Sequence, residues 1–467
     1  MNNHFERNKA IVMEKFRENL IKANFLDLSY PVQGSYILLP YGQKIKNFLY
    51  SKFIDAFEKK FNAELVELPV RIPQEFLKIH SNTESINESP NYADQHFLVT
   101  PDVPTIIKQP IFRGALDLGL YYLCKRTTKS FRQLPKTWLT RGVVLRRDSG
   151  ILLARDPEID FMEGITVFNP ETHDSIKFMK RILQTMIEWF NFFEIPVNAV
   201  WKPSFAERFT DYKTIKLFTY IPTTSAVISV GIIHYFHNYP MKTLNIKIQN
   251  KNQINFYPSV INFGITQRAL FAYLIHHQDE LGFHMPPQSS FYDLSLVLRA
   301  KENEISQILE KSEDLLSELR NKYNICDYTT ISDIKERLIL SEIQGIPLRL
   351  EFGLKDINAN KIKLFVRKTK DKVPTIPSEI NKIILEKQKI IQKKYEIEFK
   401  DKANHISKWV ESGLVTSKTL CSACQEIEET KLKIIGRDID EINAEGPKKC
   451  ENCGNKKAVI IFQGIMW

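Results

Sequence analysis

The sequence predicts an α+β protein with a large antiparallel sheet, a smaller α/β unit and a cysteine-rich C-terminal segment. Three observations support this prediction. Apolar and polar residues alternate at 213–221, 225–236 and 242–249, which indicates antiparallel strands. Strand and helix patterns follow one another between residues 290 and 370. Two Cys-x-x-Cys pairs lie near the end of the chain.

These patterns divide the 467 residues into three predicted domains, 1–288, 289–375 and 376–467. In the first domain, helical periodicity and apolar alternation place further elements before the strands named above. We expect helices at about 1–30, 42–61, 113–127 and 171–193, and strands at 36–40, 67–73, 139–147 and 158–169, with loops and short helices over 75–110.

The second and third domains have shorter elements. We expect strands at 292–298, 347–351 and 362–367, and helices at about 302–322 and 332–343. Prolines at 374–377 indicate a break, after which a highly charged helix runs over about 378–411.

Composition limits the setting and the partners of the protein. No apolar run approaches the roughly 18 residues that span a membrane, and the first residues lack the apolar core of a secretion signal. We therefore expect a cytoplasmic protein without a membrane partner. Lys and Arg exceed Asp and Glu by 65 − 55 = 10, which favours a polyanionic partner such as nucleic acid. The alternative is an AT-rich genome, which raises the lysine count without any function.

The cysteine-rich segment predicts a metal site. Cys421, Cys424, Cys450 and Cys453 form two Cys-x-x-Cys pairs, and Gly454 follows the second pair. Two such pairs supply the four thiolates of a tetrahedral Zn²⁺ site, and the glycine permits a tight turn. The ion would be structural, because four thiolates leave no open position. The alternative is a set of thiols that holds no metal.

Arg268 is a candidate for binding an anion. It follows an apolar strand over 260–264 and begins a helix. A guanidinium there can grip a phosphate with two hydrogen bonds, and the N–H groups of the helix start add positive potential. The alternative is a surface arginine at the start of a core helix.

A strand–loop–strand segment at 141–166 adds further candidates. Arg146 and Asp148 lie two residues apart on one strand, and Phe161 and Glu163 do so on the next, so each pair shares a face of its strand. A guanidinium can hold a phosphate, a phenyl ring can stack on a purine, and a carboxylate can orient an amine. The alternative is a ladder of ion pairs across the two strands with a packed phenylalanine.

Together these segments resemble the three signature motifs of class II aminoacyl-tRNA synthetases. Pro69 lies in the counterpart of motif 1, the hairpin with Arg146 and Phe161 resembles motif 2, and Gly264 to Arg268 resembles motif 3. The match is most specific to prolyl-tRNA synthetases of the archaeal and eukaryotic type. The segments similar to that family are Tyr-Pro-Val-Gln-Gly at 30–34, Pro-Tyr-Gly at 40–42, the segment 277–287, Gly-Ile-Pro-Leu-Arg-Leu-Glu-Phe-Gly at 345–353, and the cysteine pairs.

The resemblance implies an ATP-dependent ligase acting on tRNA. Arg146 and Arg268 would be the catalytic arginines that clamp the triphosphate of ATP, with Mg²⁺, and Phe161 would stack on adenine. Asp148 stands where the family has glutamate, and Arg155 and Ser229 complete the ATP-binding set. The family also implies a catalytic domain, an anticodon-binding α/β domain, a small C-terminal zinc domain, a homodimer, and proline and tRNA as substrates.

The amino-acid pocket departs from the family pattern. Ala115 and Asp117 replace a threonine and a glutamate, Ile165 replaces a histidine, and Asn262 lies in an altered segment before motif 3. The full predicted pocket is Arg113, Ala115, Asp117, Glu163, Ile165, Gly231, His234 and Asn262. An apolar residue cannot pair with a bound ammonium group.

Three functions therefore stay open. The chain is a proline–tRNA ligase with an unusual pocket, a diverged relative that activates another small amino acid, or a tRNA-binding or regulatory protein without catalysis.

Overall fold

The computed structural model describes residues 2–73, 110–145, 151–202, 213–421, 424–425, 427, 433–438, 449–455 and 458–466. The loops predicted at 75–110 lie almost entirely outside this set. The described helices are α1 (Asn2–Lys22), α2 (Pro40–Phe61), α3 (Asp117–Thr127), α4 (Ser175–Phe192), α5 (Tyr239–Thr243), α6 (Arg268–His276), α7 (Glu302–Lys311), α8 (Glu313–Lys322), α9 (Ile334–Ile343), α10 (Leu354–Asn358) and α11 (Ile380–Ser407).

The strands of the first two predicted domains are β1 (Leu26–Asp27), β2 (Ile37–Leu38), β3 (Glu64–Val66), β4 (Arg71–Pro73), β5 (Pro110–Phe112), β6 (Lys136–Leu145), β7 (Glu158–Phe168), β8 (Asn198–Trp201), β9 (Lys213–Tyr220), β10 (Ala226–Tyr235), β11 (Ile248–Gln249), β12 (Asn255–Phe256), β13 (Ser259–Thr266), β14 (Leu294–Leu298), β15 (Ile325–Asp327), β16 (Leu348–Phe352), β17 (Ile362–Val366) and β18 (Lys372–Thr375). The C-terminal segment adds β19 (Val415–Leu420), β20 (Lys433–Asp438) and β21 (Val459–Met466).

A ten-stranded sheet organises most of the chain, in the order β19-β21-β20-β8-β9-β10-β13-β7-β6-β3. Its pairs are antiparallel except β3 with β6 and β10 with β21. One face of β13, with Ile261, Phe263 and Ile265, joins the main hydrophobic core. Helices α2 and α4 cover this face: the Phe57 ring stacks on Phe263 at 4.4 Å. The opposite face of these strands is left for the site described below.

The C-terminal strands continue this sheet. Strand β20 pairs with β8, and β21 pairs with β20 and also with β10, where Ala226 lies opposite Ile465. Strands β8, β9, β10, β21 and β20 therefore close a ring of five strands. The segment predicted as a separate zinc domain shares hydrogen-bonded strands with the large sheet, and the three domain boundaries stay predictions.

A second sheet of five strands, β15-β14-β16-β17-β18, forms the α/β unit. Its core is apolar and includes Ile380, Ile384 and Ile391, so the first half of α11 packs on this unit. The mixed α+β architecture with a sheet-rich first part confirms the predicted fold class.

Arg337 is fully buried in the α/β unit. Its guanidinium donates to four backbone carbonyls: those of Leu298 at 2.8 Å, Ala300 at 3.1 Å, Ser332 at 3.2 Å, and Ile331. A buried charge is tolerated when hydrogen bonds replace its water. Arg337 thus connects α9 to the end of β14 and to the loop before α9.

Three predicted elements are wrong. Of the strand predicted at 67–73, only Arg71–Pro73 forms a strand. The strand predicted at 242–249 is instead α5 followed by the two-residue strand β11. Pro240 lies in the first turn of α5, a position where proline favours a helix, and Met241 packs into an apolar cluster with Ile246. The single helix predicted at 302–322 is divided at Ser312, whose hydroxyl donates to the Ile308 carbonyl at 2.7 Å. Such a bond within a helix bends it.

No helix among the described residues combines the length and the apolar character that crossing a membrane requires.

Candidate active site

Four polar side chains from four adjacent strands form a row on the face of the large sheet opposite the main core. We call Glu163, Asn262, His234 and Thr214 the polar row. Asn262 on β13 lies opposite His234 on β10, which in turn lies opposite Thr214 on β9. Residues opposite one another in a sheet share a face. Glu163 on β7 shares that face too, because it lies two residues from the residue opposite Asn262.

Hydrogen bonds join the polar row in two pairs. Asn262 Nδ2 donates to Glu163 Oε1 at 2.8 Å, and Thr214 Oγ1 lies 2.8 Å from His234 Nδ1. The backbone N–H of Leu116 donates to Glu163 Oε2 at 2.9 Å. Asn262 Oδ1 is buried and has no hydrogen-bond partner among the described residues. An unpaired buried acceptor costs about 1–3 kcal/mol, so this atom is suited to a ligand that carries an N–H or O–H donor.

Three predicted pocket residues lie around α3. Arg113 is buried and donates to the carbonyls of Leu68 at 2.7 Å, Pro69 at 3.0 Å and Val143 at 3.2 Å. Burial lowers the pKa of Arg113, while the nearby Glu163 carboxylate raises it. Its guanidinium therefore holds backbone segments together.

Asp117 begins α3 and is buried, with Oδ2 accepting from Tyr121 Oη at 3.1 Å. Ala115 is buried close by, two residues earlier in the chain. Asp117 therefore has a partner within its own helix.

Ile165 and Gly231 have different settings. Ile165 lies opposite Asn262 on the face of the polar row, where it is fully buried in an apolar cluster with Leu118 and Trp138. A side chain at Gly231 would begin 2.9 Å from the Met186 methyl group, on the core side of the sheet. These two positions shape the sheet and its packing.

Arg268 begins α6, as predicted, two residues after β13 ends. Its Nε donates to the Ala154 carbonyl at 2.6 Å, so the arginine is fixed against a tight turn at 151–155. Arg155 closes that turn, because its N–H donates to the Ile151 carbonyl at 2.7 Å. The structure thus brings the segments that carry Arg155 and Arg268 together.

The other ATP-binding candidates have different settings. Phe161 is half-buried on β7, packed against the cluster of Leu116, Val144 and Ile159, and lies opposite Thr266. Ser229 is half-buried where β10 shifts its register against β9. Arg146 and Asp148 lie outside the described residues, so their roles stay predictions.

Sequence reasoning missed Thr214, Gln267 and Asp156. Asp156 is buried between the tight turn and the start of α6, and Gln267 precedes Arg268. Gln267 lies within the counterpart of motif 3 but was not named as a site residue, and Asp156 and Thr214 stand in no recognisable motif. Only the fold brings them to the site.

The four predicted metal ligands meet in space. The sulfur atoms of Cys421, Cys424, Cys450 and Cys453 all lie within 4.8 Å of one another. Cys421 Sγ and Cys453 Sγ are 3.6 Å apart, close to the spacing of thiolates on one tetrahedral Zn²⁺ with Zn–S bonds of about 2.3 Å. Gly454 has φ +72°, a conformation that favours glycine, and its N–H donates to the Cys450 carbonyl at 2.8 Å. The residues fit a structural zinc ion.

Metal analysis of the purified protein is expected to find about one Zn²⁺ per chain, because four thiolates form one tetrahedral site. Cys453→Ser is expected to lower that content severalfold, whereas Cys326→Ser, away from the cluster, leaves it unchanged. A folded wild-type protein without metal would contradict the zinc assignment.

Comparison with known proteins gives relatives and a structural match, but no family model. No protein-family model matches the chain. The chain is 27% identical over 358 residues to a proline–tRNA ligase from Mesoplasma florum, covering 76% of this chain and 73% of that protein. It is 25% identical over 452 residues to a proline–tRNA ligase from Sulfolobus acidocaldarius, covering 91% of each.

Among solved structures, the fold matches Giardia lamblia prolyl-tRNA synthetase in complex with prolyl-adenylate. The TM-score is 0.80 at 18% identity, with 98% of each chain covered. The fold and the relatives together define a class II aminoacyl-tRNA synthetase-type protein. Within that class, the chain is of the prolyl-tRNA synthetase type, which is a ligase type of enzyme. The resemblance found in the sequence is thereby confirmed.

Proposed function

We propose that this protein activates a small amino acid, proline in the first instance, with ATP and transfers it to tRNA. The observation that carries the proposal is the position of Arg268 directly after the strand that contributes Asn262 to the polar row. One strand thus connects a phosphate-binding candidate to a set of polar groups that can orient an amino acid.

The chemistry rests on positioning and charge. The amino-acid carboxylate attacks the α-phosphorus of ATP and pyrophosphate leaves. A tRNA hydroxyl then attacks the carbonyl carbon of the aminoacyl-adenylate, so that the acyl group passes to tRNA and AMP leaves. Arginines held at fixed positions lower the barrier by offsetting the negative charge that develops on the phosphate. Arg268 serves this role, with Arg146 and Mg²⁺ as further members of the clamp and Phe161 beside adenine.

A second candidate substrate is a different small amino acid. Arg113 and Asp117 already bind protein groups, and Glu163 is held by Leu116 and Asn262. The buried acceptor Asn262 Oδ1 favours a substrate that brings an extra hydrogen-bond donor. Such a substrate would donate a hydrogen bond to Asn262 Oδ1. Proline has no donor besides its amine to make this bond.

The partners follow from the same proposal. The α/β unit would bind the tRNA anticodon, and two chains would associate through the segment around Pro69. We also propose that the enzyme is cytoplasmic, because it would act on tRNA.

ATP–pyrophosphate exchange measured with each amino acid separately tests the proposal. We expect exchange above background with proline or with one other small amino acid, because only a bound carboxylate can attack the α-phosphorus. Exchange with an amino acid other than proline would favour the second candidate. Absence of exchange with every amino acid, while tRNA still binds, would leave a tRNA-binding protein without catalysis.

A further inference from the structure

A buried carboxylate helps to attach the turn at 151–155 to the start of α6. Asp156 is 2% exposed. Its Oδ2 accepts from the Leu153 N–H at 3.0 Å, from Tyr36 Oη at 3.1 Å, and from Gln267 Nε2. These donors come from the turn itself, from the N-terminal segment and from the residue before Arg268.

The surrounding contacts make this attachment specific. Gln267 Oε1 accepts from the Asp160 N–H at 2.9 Å, so its amide is held at both ends. Arg268 Nε donates to Ala154 O within the same turn. Leu153 has φ +63°, a strained conformation for leucine that persists only where its surroundings enforce it.

We propose that Asp156 is a positioning residue for nucleotide binding, which fixes the turn carrying Arg155 against the helix start carrying Arg268. The two guanidinium groups thereby keep the spacing that a nucleoside triphosphate requires. This proposal rests on the proposed function, since it assigns Arg155 and Arg268 to ATP.

The protonation state of Asp156 gives a readout that packing alone would not. Burial raises the pKa of Asp156 to about 7, against the hydrogen bonds from Tyr36 and Leu153 and the charge of Arg268, while Glu158 adds to the rise. The buried state therefore holds the neutral carboxyl better than the carboxylate. By linkage, attachment of the turn weakens as pH rises through about 7.

Folding stability follows the same direction. The folded protein takes up a proton at Asp156 between the ordinary carboxyl pKa and about 7, so this group's contribution to stability falls as pH rises through that window. Asp156→Asn, which stays neutral, should therefore unfold no earlier than the wild type at about pH 8. A residue with a purely structural role would instead destabilise the protein when replaced.

The test compares Asp156→Asn and Asp156→Ala with Asp293→Asn. Asp293 is a half-buried carboxylate that precedes β14 in the α/β unit, where it accepts from the Asn324 N–H at 2.9 Å, and burial raises its pKa as it does for Asp156. We expect both Asp156 variants to raise the Kd for ATP and its KM in pyrophosphate exchange by roughly tenfold, which corresponds to about 1.4 kcal/mol of lost contact. Asp293→Asn should leave both values near those of the wild type. The ratio of wild-type to Asp156→Asn KM should rise as pH rises from about 6 to about 8, because only the wild-type carboxyl ionises.

Hydrogen exchange of the amides at 151–155, measured without nucleotide, separates this proposal from the proposed function. Loss of amide protection in Asp156→Ala together with weaker ATP binding supports the proposal. Unchanged ATP affinity in a variant whose turn is released overturns it. If Asp156→Ala does not fold, the same two measurements on Asp156→Asn decide. A wild type that binds no ATP overturns the proposed function, whereas protection retained in the folded Asp156 variants overturns the attachment by Asp156.

Discussion

Arg268→Ala is expected to abolish measurable ATP binding while the protein stays folded. The variant would lose at least two charge-assisted hydrogen bonds between the guanidinium and phosphate, each worth about 1.5–3 kcal/mol. A loss of about 3 kcal/mol corresponds to a roughly 100-fold higher Kd. Calorimetric titration with ATP gives the affinity, and thermal unfolding without nucleotide shows whether the fold survives.

Arg141→Ala is the matched control. Arg141 is also a partly buried arginine of the large sheet, but it donates to Asp160 at 2.9 Å and packs over the Tyr50 ring of α2, on the core side. The Arg141→Ala variant removes one positive charge, as Arg268→Ala does, but from a residue that lies away from the polar row. If Arg268→Ala binds ATP as tightly as the wild type, Arg268 has no part in the nucleotide site.

Arg337→Met is expected to destabilise the α/β unit by about 3–5 kcal/mol, because four buried carbonyls lose their donor at once. Methionine fills much of the space but supplies no hydrogen bond. Urea unfolding followed by circular dichroism should show an earlier transition, while ATP binding at the distant site is retained.

Arg320→Met provides the comparison. Arg320 is about half exposed and pairs with Asp327 at 3.1 Å, an exposed ion pair of the kind that contributes less than about 1 kcal/mol. Equal stability of the two variants would show that the carbonyl contacts of Arg337 contribute little.

Local patterns in the sequence predicted most of the elements. The hairpin of β6 and β7 was expected within three residues of its observed ends, because apolar residues alternate along both strands. The start of α6 at Arg268 was likewise predicted from helical spacing. The strand predicted at 242–249 was wrong because Pro240 and the packing of Met241 favour a helix there, although apolar and polar residues alternate.

The site was predictable only in part. Glu163, His234 and Asn262 were named through the resemblance, but the sequence could not show that Asn262 binds Glu163, since their contact spans 99 positions. Asp156 was missed because its donors lie at 36 and 267, far from it in sequence. Long-range hydrogen bonds of this kind leave no local periodicity.

The ring of five strands has a consequence for how the chain reaches its native state. Its last contact joins Ala226 to Ile465, which are 465 − 226 = 239 positions apart. Closing a loop of that length costs far more chain entropy than forming the neighbouring hairpins. The strand that bears His234 is therefore completed late at its first two residues, and until that contact forms, the edge at Ala226 and Val227 stays open to pairing with other chains.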